Sequence, residues 1–389
     1  MPMGRGRKPL GRLRAAALTA VAALALAGCA DSSAVQGGGI PSVIHLLGVR
    51  DQTGPVSYTG ISAANGTALA IEEITDQHFL GAKVTIDVDE RDAAFNPQTA
   101  SSEITTGLAA GNITAVLGPQ VSNESLAVAP IAQGSGVPIV FTQSGVDGLL
   151  TGNMTFRASS SQASIWPNAT KHIIDSGAKR VAIVNTASNA TYKELGNKTL
   201  PALLGKSGVK VAESFDLEST VSDFQAPVSR VIAAKPDAVI TTLIGPQIPT
   251  LVVQLRQAGY DGPIYTGNSM TDAQLRTMGD AGIGLMFPST FSYAMTDQVP
   301  AAFTAAYKAK FGTLPDVFAA ETYDQTWWVA RAIKQAGSAN PADVAAALPQ
   351  VGKKGFTGAQ GALTFENGND AKAKGVLVRW DGSKQTIAR

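Results

Sequence analysis

The run Gly118-Pro119-Gln120-Val121-Ser122 leaves an apolar strand-like stretch, Ala115-Val116-Leu117, and carries a hydroxyl into the start of an amphipathic helix. Gly-Pro belongs in no strand or helix interior, so it marks a turn. The first backbone N–H groups of a helix lack intrahelical partners and favour anionic oxygens. A serine placed there can read a carboxylate, or it can simply cap its own helix. Gly136-Val137-Pro138 ends that helix and opens a second apolar strand, Ile139-Val140-Phe141, followed by the polar loop Thr142-Gln143-Ser144-Gly145. Strand, turn, helix and strand make one βαβ unit. Ligands of open parallel sheets bind at the carboxyl ends of such strands.

Other residues capable of chemistry are less telling. Asp89-Glu90-Arg91-Asp92 could suggest acid–base work or a cation site, but Arg91 partly balances a solvated loop. His45, His78 and His172 are far apart, so no metal site is expected. There is no Gly-x-Ser-x-Gly elbow, no Gly-x-Gly-x-x-Gly turn and no phosphate-binding Gly-Lys-Ser/Thr. No enzyme activity and no cofactor are expected. Trp327-Trp328 resembles an aromatic platform, but the apolar neighbours at helical spacing assign at least one of the two to a core.

These residues need a scaffold of alternating strands and helices, and the chain supplies one. Strand-like runs at 43–49, 84–88, 115–117 and 139–141 alternate with helical patterns, one of them at 63–74. The alternation restarts after 159–161, with strands at 181–184, 209–211, 238–240 and 264–265 and a helix at 192–206. The predicted fold class is therefore α/β. With 389 residues, 44% hydrophobic and 16% charged, the chain suits two such units.

A leader precedes them: basic residues to Arg14, an apolar run at 15–26, then Leu26-Ala27-Gly28-Cys29, which holds the one cysteine of the chain. The run is too short to span a bilayer and matches a secretory segment. The last four residues resemble a bacterial lipobox, with Cys29 lipidated as the mature N-terminus. Residues 1–28 are then the signal peptide, and 29–41 are a Gly/Ser-rich tether. Without the five basic residues of the leader, 26 bases face 30 acids, a charge near −4 that gives no support for nucleic-acid binding.

Together these stretches resemble the type I periplasmic-binding proteins, specifically the branched-chain amino-acid-binding family of ABC importers. The resemblance rests on Thr53-Gly54-Pro55 with Gly60, the segment from Asn65-Gly66 to Ile74, Asp92 with Asn96-Pro97, Gly118-Pro119 with Ser122, Ala129-Pro130-Ile131, Val137-Pro138, Phe156-Arg157 and Glu321-Thr322-Tyr323-Asp324. It implies two Rossmann-like lobes joined by a three-crossing hinge near 157–161, 287–290 and 356–361. Lobe 1 would comprise 42–158 and 288–357, and lobe 2 would comprise 159–287 and 358–389.

The resemblance further implies a monomeric, lipid-anchored receptor on the outer face of the cell membrane. It would hand a small-molecule solute to ABC permease subunits, or a signal to a partner protein in a sensing variant. Position by position, the ligand carboxylate falls to Ser122 with Gln143, Ser144 and Gly145. Tyr58 and Thr59, then Thr191, Tyr192 and Ile244, supply further contacts. The acid that meets an amino-acid ammonium in the family falls on Asn268, which carries no charge. A carboxylic acid or neutral polar compound lacking the α-ammonium is therefore expected, with Tyr58, Tyr192 and Met270 lining its apolar part. Leucine, isoleucine or valine remains the conventional alternative.

Overall fold

The computed structural model describes residues 39–268 and 270–388. The leader, Cys29 and most of the tether lie outside the described residues.

Apolar runs form the centres of two sheets. In the first, β1 (Val43–Arg50), β2 (Thr85–Asp92), β3 (Ile113–Leu117), β4 (Ile139–Phe141) and β5 (Thr155–Arg157) pair in parallel in the order β2-β1-β3-β4-β5. The second repeats that order with β6 (Arg180–Thr186), β7 (Lys210–Leu217), β8 (Ala238–Thr241), β9 (Ile264–Thr266) and β10 (Met286–Ser289). Every residue of β3 and of β8 is buried, as befits strands covered by helices on both faces. The point where each strand order reverses, between β1 and β3 or β6 and β8, is where such sheets open a crevice.

The late chain completes both sheets. β11 (Phe356–Gly358), β12 (Gly361–Glu366) and β13 (Asp370–Ala373) pair antiparallel with one another and join β5 through a parallel β13 contact, whereas β14 (Val376–Trp380) and β15 (Gln385–Ile387) extend antiparallel from β10. The last passage between sheets therefore falls at 374–375. The sequence placed it near 356–361 and gave residues 358–389 to lobe 2. The difference has a physical cause: Arg157 on β5 grips Asp370 on β13 with two parallel bonds, Nε to Oδ1 at 2.7 Å and Nη2 to Oδ2 at 2.9 Å. Leu363 and Phe365 meanwhile bury their side chains in the first lobe's core.

Two helices dominate that core. Ser57–Asp76 crosses Val317–Ala336 so closely that a Cβ on Gly66 would stand 2.2 Å from the Ala319 carbonyl oxygen. Trp327 and Trp328 both sit in this core, and Trp328 Nε1 donates to the Leu348 carbonyl at 3.1 Å. The first helix begins at Ser57 rather than near residue 63, because Gly60 lets its opening turn lie directly on the Asp51 backbone. The helix expected over 192–206 is instead Ala190–Glu194, a π-turn at Leu195–Thr199 and Leu200–Gly205, with Gly196 seated on the Asn185 side chain.

Helix Val317–Ala336 also props the passages between the lobes. Glu321 Oε1 accepts from Thr290 Oγ1 at 3.1 Å, just past β10. Asp324 accepts from the Ala359 and Gln360 amides at 2.7 and 2.9 Å, and Gln360 Nε2 in turn donates to the Ala158 carbonyl just past β5. Burial pushes the Glu321 carboxyl up to about 8 and that of Asp324 to about 7.

Candidate ligand-binding site

The two lobes meet at the carboxyl ends of their parallel strands. Gly118 makes the turn after β3 possible: its φ is +103°, and a Cβ there would stand 2.1 Å from the Val49 carbonyl oxygen. The helix Ser122–Ser135 follows. Ser122 is its first helical residue, Val121 holds the cap position, and no side chain caps the end. The serine hydroxyl is instead hydrogen-bonded to Thr191 Oγ1, in the first turn of the helix Ala190–Glu194 of the other lobe. Beside that pair, Asn123 Nδ2 donates to the Ser188 carbonyl at 3.1 Å and Asn123 Oδ1 accepts from the Ala190 amide at 3.2 Å. Gly145, after β4, faces the same wall, where a Cβ would lie 3.1 Å from Thr191 Cγ2 and 3.2 Å from the Gln162 amide nitrogen.

The remaining residues singled out by sequence divide by position. Asn268 and Tyr192 are buried and bonded to each other, Tyr192 OH donating to Asn268 Oδ1 at 2.8 Å. Ile244 packs with Val56 and Tyr192 in an apolar cluster that spans both lobes. Tyr58 lies edge-on to Phe318, ring centroids 5.8 Å apart, and forms part of the wall of two cavities of about 560 and 600 Å³. The first of these separates Pro55 and Tyr58 from Pro246, Pro249 and Val253 of the second lobe. Gln143 adopts a left-handed backbone (φ +59°), its amide donates to Ser159 Oγ at 2.8 Å, and its side-chain nitrogen is buried without a partner.

Three expected contacts are engaged elsewhere. Thr59 Oγ1 closes its own turn by donating to the Val56 carbonyl at 2.9 Å. Ser144 Oγ donates to the Gln120 carbonyl at 2.9 Å and bonds Ser125, within the first lobe. Met270 packs with Leu275 and Met278 in the second lobe's core, because β9 ends at Thr266 and the chain then dives toward the helix Asp272–Thr277.

Beneath the Ser122 turn lies a pair of acids the sequence did not flag. Asp51, just past β1, and Glu124, in the first turn after Ser122, are fully buried and close enough to perturb each other's ionisation. Burial first, and then mutual repulsion, raises the pKa of Glu124; burial likewise raises Asp51, whose Oδ1 accepts from the Phe95 amide at 2.7 Å. The pair holds a proton near neutrality, which spares the helix start a second negative charge.

The arrangement offers hydroxyl, amide and apolar surface from both lobes, with no nucleophile–base pair among the described residues. The family model for periplasmic binding proteins matches residues 44–385. The chain belongs to that family. It is thus a binding protein of the extracytoplasmic kind, not an enzyme. A leucine-, isoleucine-, valine-, threonine- and alanine-binding protein of Pseudomonas aeruginosa is 27% identical over 380 residues, 95% of each chain. Among solved structures, a leucine-binding protein of Thermotoga maritima shares the fold with a TM-score of 0.78 at 23% identity, covering 89% of this chain and 98% of that one. An ABC-transporter solute-binding protein of Rhodopseudomonas palustris, solved with 3,4-dihydroxybenzoic acid, gives 0.80 at 22% identity, covering 89% and 96%. In this periplasmic binding protein, sequence reading also missed Gln162 and Trp166, which stand at the start of the helix Gln162–Asp175. The helix expected from about residue 164 left Gln162 outside it, and only the contact of Gln162 with Asn268, with Trp166 behind it, draws the pair to the site.

Proposed function

We propose that the protein is a lipid-anchored solute receptor of an ABC importer that captures a small carboxylate-bearing or polar organic solute between its lobes and presents it to the permease. The observation that carries this reading is the Ser122–Thr191 contact. A hydroxyl at a helix start, released from capping, meets a hydroxyl of the opposite lobe. A carboxylate entering between them accepts a hydrogen bond from each and from the free N–H groups of the helix start. Joining the lobes in this way is hinge closure around a ligand. The lobes of such a receptor need not travel far from the membrane, and Cys29 in Leu26-Ala27-Gly28-Cys29 supplies the tether point. The ligands of the relatives, branched-chain amino acids in some and an aromatic acid in another, bracket the size of the solute.

Ser122→Ala tests the proposal. A hydrogen bond to a charged group is worth about 1.5–3 kcal/mol, so affinity for an acid found by thermal-shift screening should fall roughly tenfold to a hundredfold. The ligand-free protein should lose only about 0.5–1.5 kcal/mol of stability, the worth of the single Ser122–Thr191 bond, because Ser122 caps nothing. Unchanged affinity would refute the proposal.

A further inference from the structure

Trp166 is fully buried, and an indole ring offers one N–H donor and no acceptor. Its Nε1 lies 3.2 Å from Gln162 Oε1, one helical turn earlier. That contact fixes the Gln162 amide, since a flipped amide would set donor against donor. Gln162 Nε2 must then point the other way, and it donates to Asn268 Oδ1 at 3.2 Å. The same oxygen accepts from Tyr192 OH at 2.8 Å. With both acceptor positions of its oxygen filled, Asn268 has only its amide nitrogen left to offer.

This relay lies on the interlobe wall. Gln162 and Thr191 both abut Gly145 of the first lobe, and Thr191 bonds Ser122. The acids lining the neighbouring 600 Å³ cavity, Asp272 and Asp316, are already engaged: Asp316 Oδ1 accepts from Ser62 Oγ and from the Ala319 amide. Asp272, four residues after Asn268, already accepts from Tyr293 OH at 2.9 Å and from Gln385 Nε2 at 3.0 Å. Glu124 is fully buried, with no exposed surface to present to a solute.

We infer that Asn268 is a specificity-determining hydrogen-bond donor, oriented by the Trp166–Gln162 relay, and that the site selects carboxylic acids bearing an oxygen acceptor where an α-amino acid bears its ammonium. The inference rests on the reading that the cleft between Ser122 and Asn268 holds the solute. An ammonium brought against the Asn268 amide would leave two donors facing each other and a buried charge unpaired. A keto, hydroxyl or ether oxygen at that point accepts the bond. Trp166 and Gln162 are positioning residues, acting through Asn268.

Calorimetric titration with leucine and with 4-methyl-2-oxopentanoate, which differ only at that group, provides the test. The wild-type protein should bind the keto acid at least about tenfold more tightly, the cost of an unsatisfied donor pair. Asn268→Asp should reverse the order. Trp166→Phe frees Gln162 to turn over and should narrow the ratio. A ratio of two dissociation constants on one variant is unaffected by any loss of folded protein. Leucine bound more tightly by the wild type, or an unchanged ratio in Asn268→Asp, overturns the inference. If leucine is preferred and Ser122→Ala still weakens it, the cleft reading survives alone. If leucine, the keto acid and 3,4-dihydroxybenzoate all fail to bind, both fall.

Discussion

Gly145→Ala isolates lobe closure from folding. The glycine is not in the left-handed region, so alanine fits its backbone. The added methyl, however, would meet Thr191 Cγ2 at 3.1 Å and the Gln162 amide nitrogen at 3.2 Å, both across the interlobe wall. Carbon contacts are comfortable at about 3.5–4.0 Å, so the walls must part by roughly half an ångström. Thr191 can rotate away, but the Gln162 nitrogen is backbone and cannot. Overpacking of this kind costs about 1–3 kcal/mol, which here falls on the joined arrangement of the lobes. Affinity for a bound acid should therefore drop from roughly fivefold to a little over a hundredfold. Calorimetry paired with a melting curve reads both effects. Unchanged affinity, or a lower melting temperature with affinity intact, would refute the reasoning that Gly145 faces a moving wall.

Stability should depend on pH in an unusual direction. The folded pKa values of Glu321 and Asp324, at about 8 and 7, stand above ordinary carboxyl values near 4, and those of Asp51 and Glu124 are also raised. Between pH 4 and 8 the unfolded chain has lost these protons while the folded chain keeps them, so stability is fullest near pH 4–5 and falls as pH rises toward 8. The melting temperature should drop from pH 5 to 8, and Glu124→Gln should flatten the profile; a rising profile would contradict the burial argument. Asp370→Ala strands the Arg157 guanidinium in a buried position and should cost about 3–5 kcal/mol in a denaturant titration, whereas a loss below 1 kcal/mol would mean the β5–β13 grip is not structural. Cys29→Ser should release the protein from membranes or block its processing; a mutant cut at the same place and still membrane-bound would rule out the lipid anchor.

Much of this molecule could be read before it was folded. Buried parallel strands have continuous apolar runs, so β3, β4, β6 and β8 stood out, and the Gly-Pro turn placed Ser122 at a helix start. What stayed hidden depends on partners distant in sequence. The alternation in β12 is the same whichever sheet receives it, and the contacts that hold β13 in the first sheet, Arg157 to Asp370 and Ser160 to Ala373, come from residues some 200 positions earlier. Hydroxyl direction is equally silent: Ser144 and Ser122 look alike in sequence, yet one turns to the Gln120 carbonyl and the other to the opposite lobe. Gln162 and Trp166 sit at ordinary helical spacing, and their relay exists only because β9 delivers Asn268 beside them. The Asp51–Glu124 pair joins positions 73 residues apart and needs the β1–β3 pairing to form.

The most direct test of two-lobed capture is a crystal structure of the protein saturated with the acid that binds it best in screening. Carboxylate oxygens of that acid should lie within hydrogen-bond distance of both Ser122 Oγ and Thr191 Oγ1. A solute held by one lobe alone, with the Ser122–Thr191 hydroxyl pair intact, would contradict two-lobed capture.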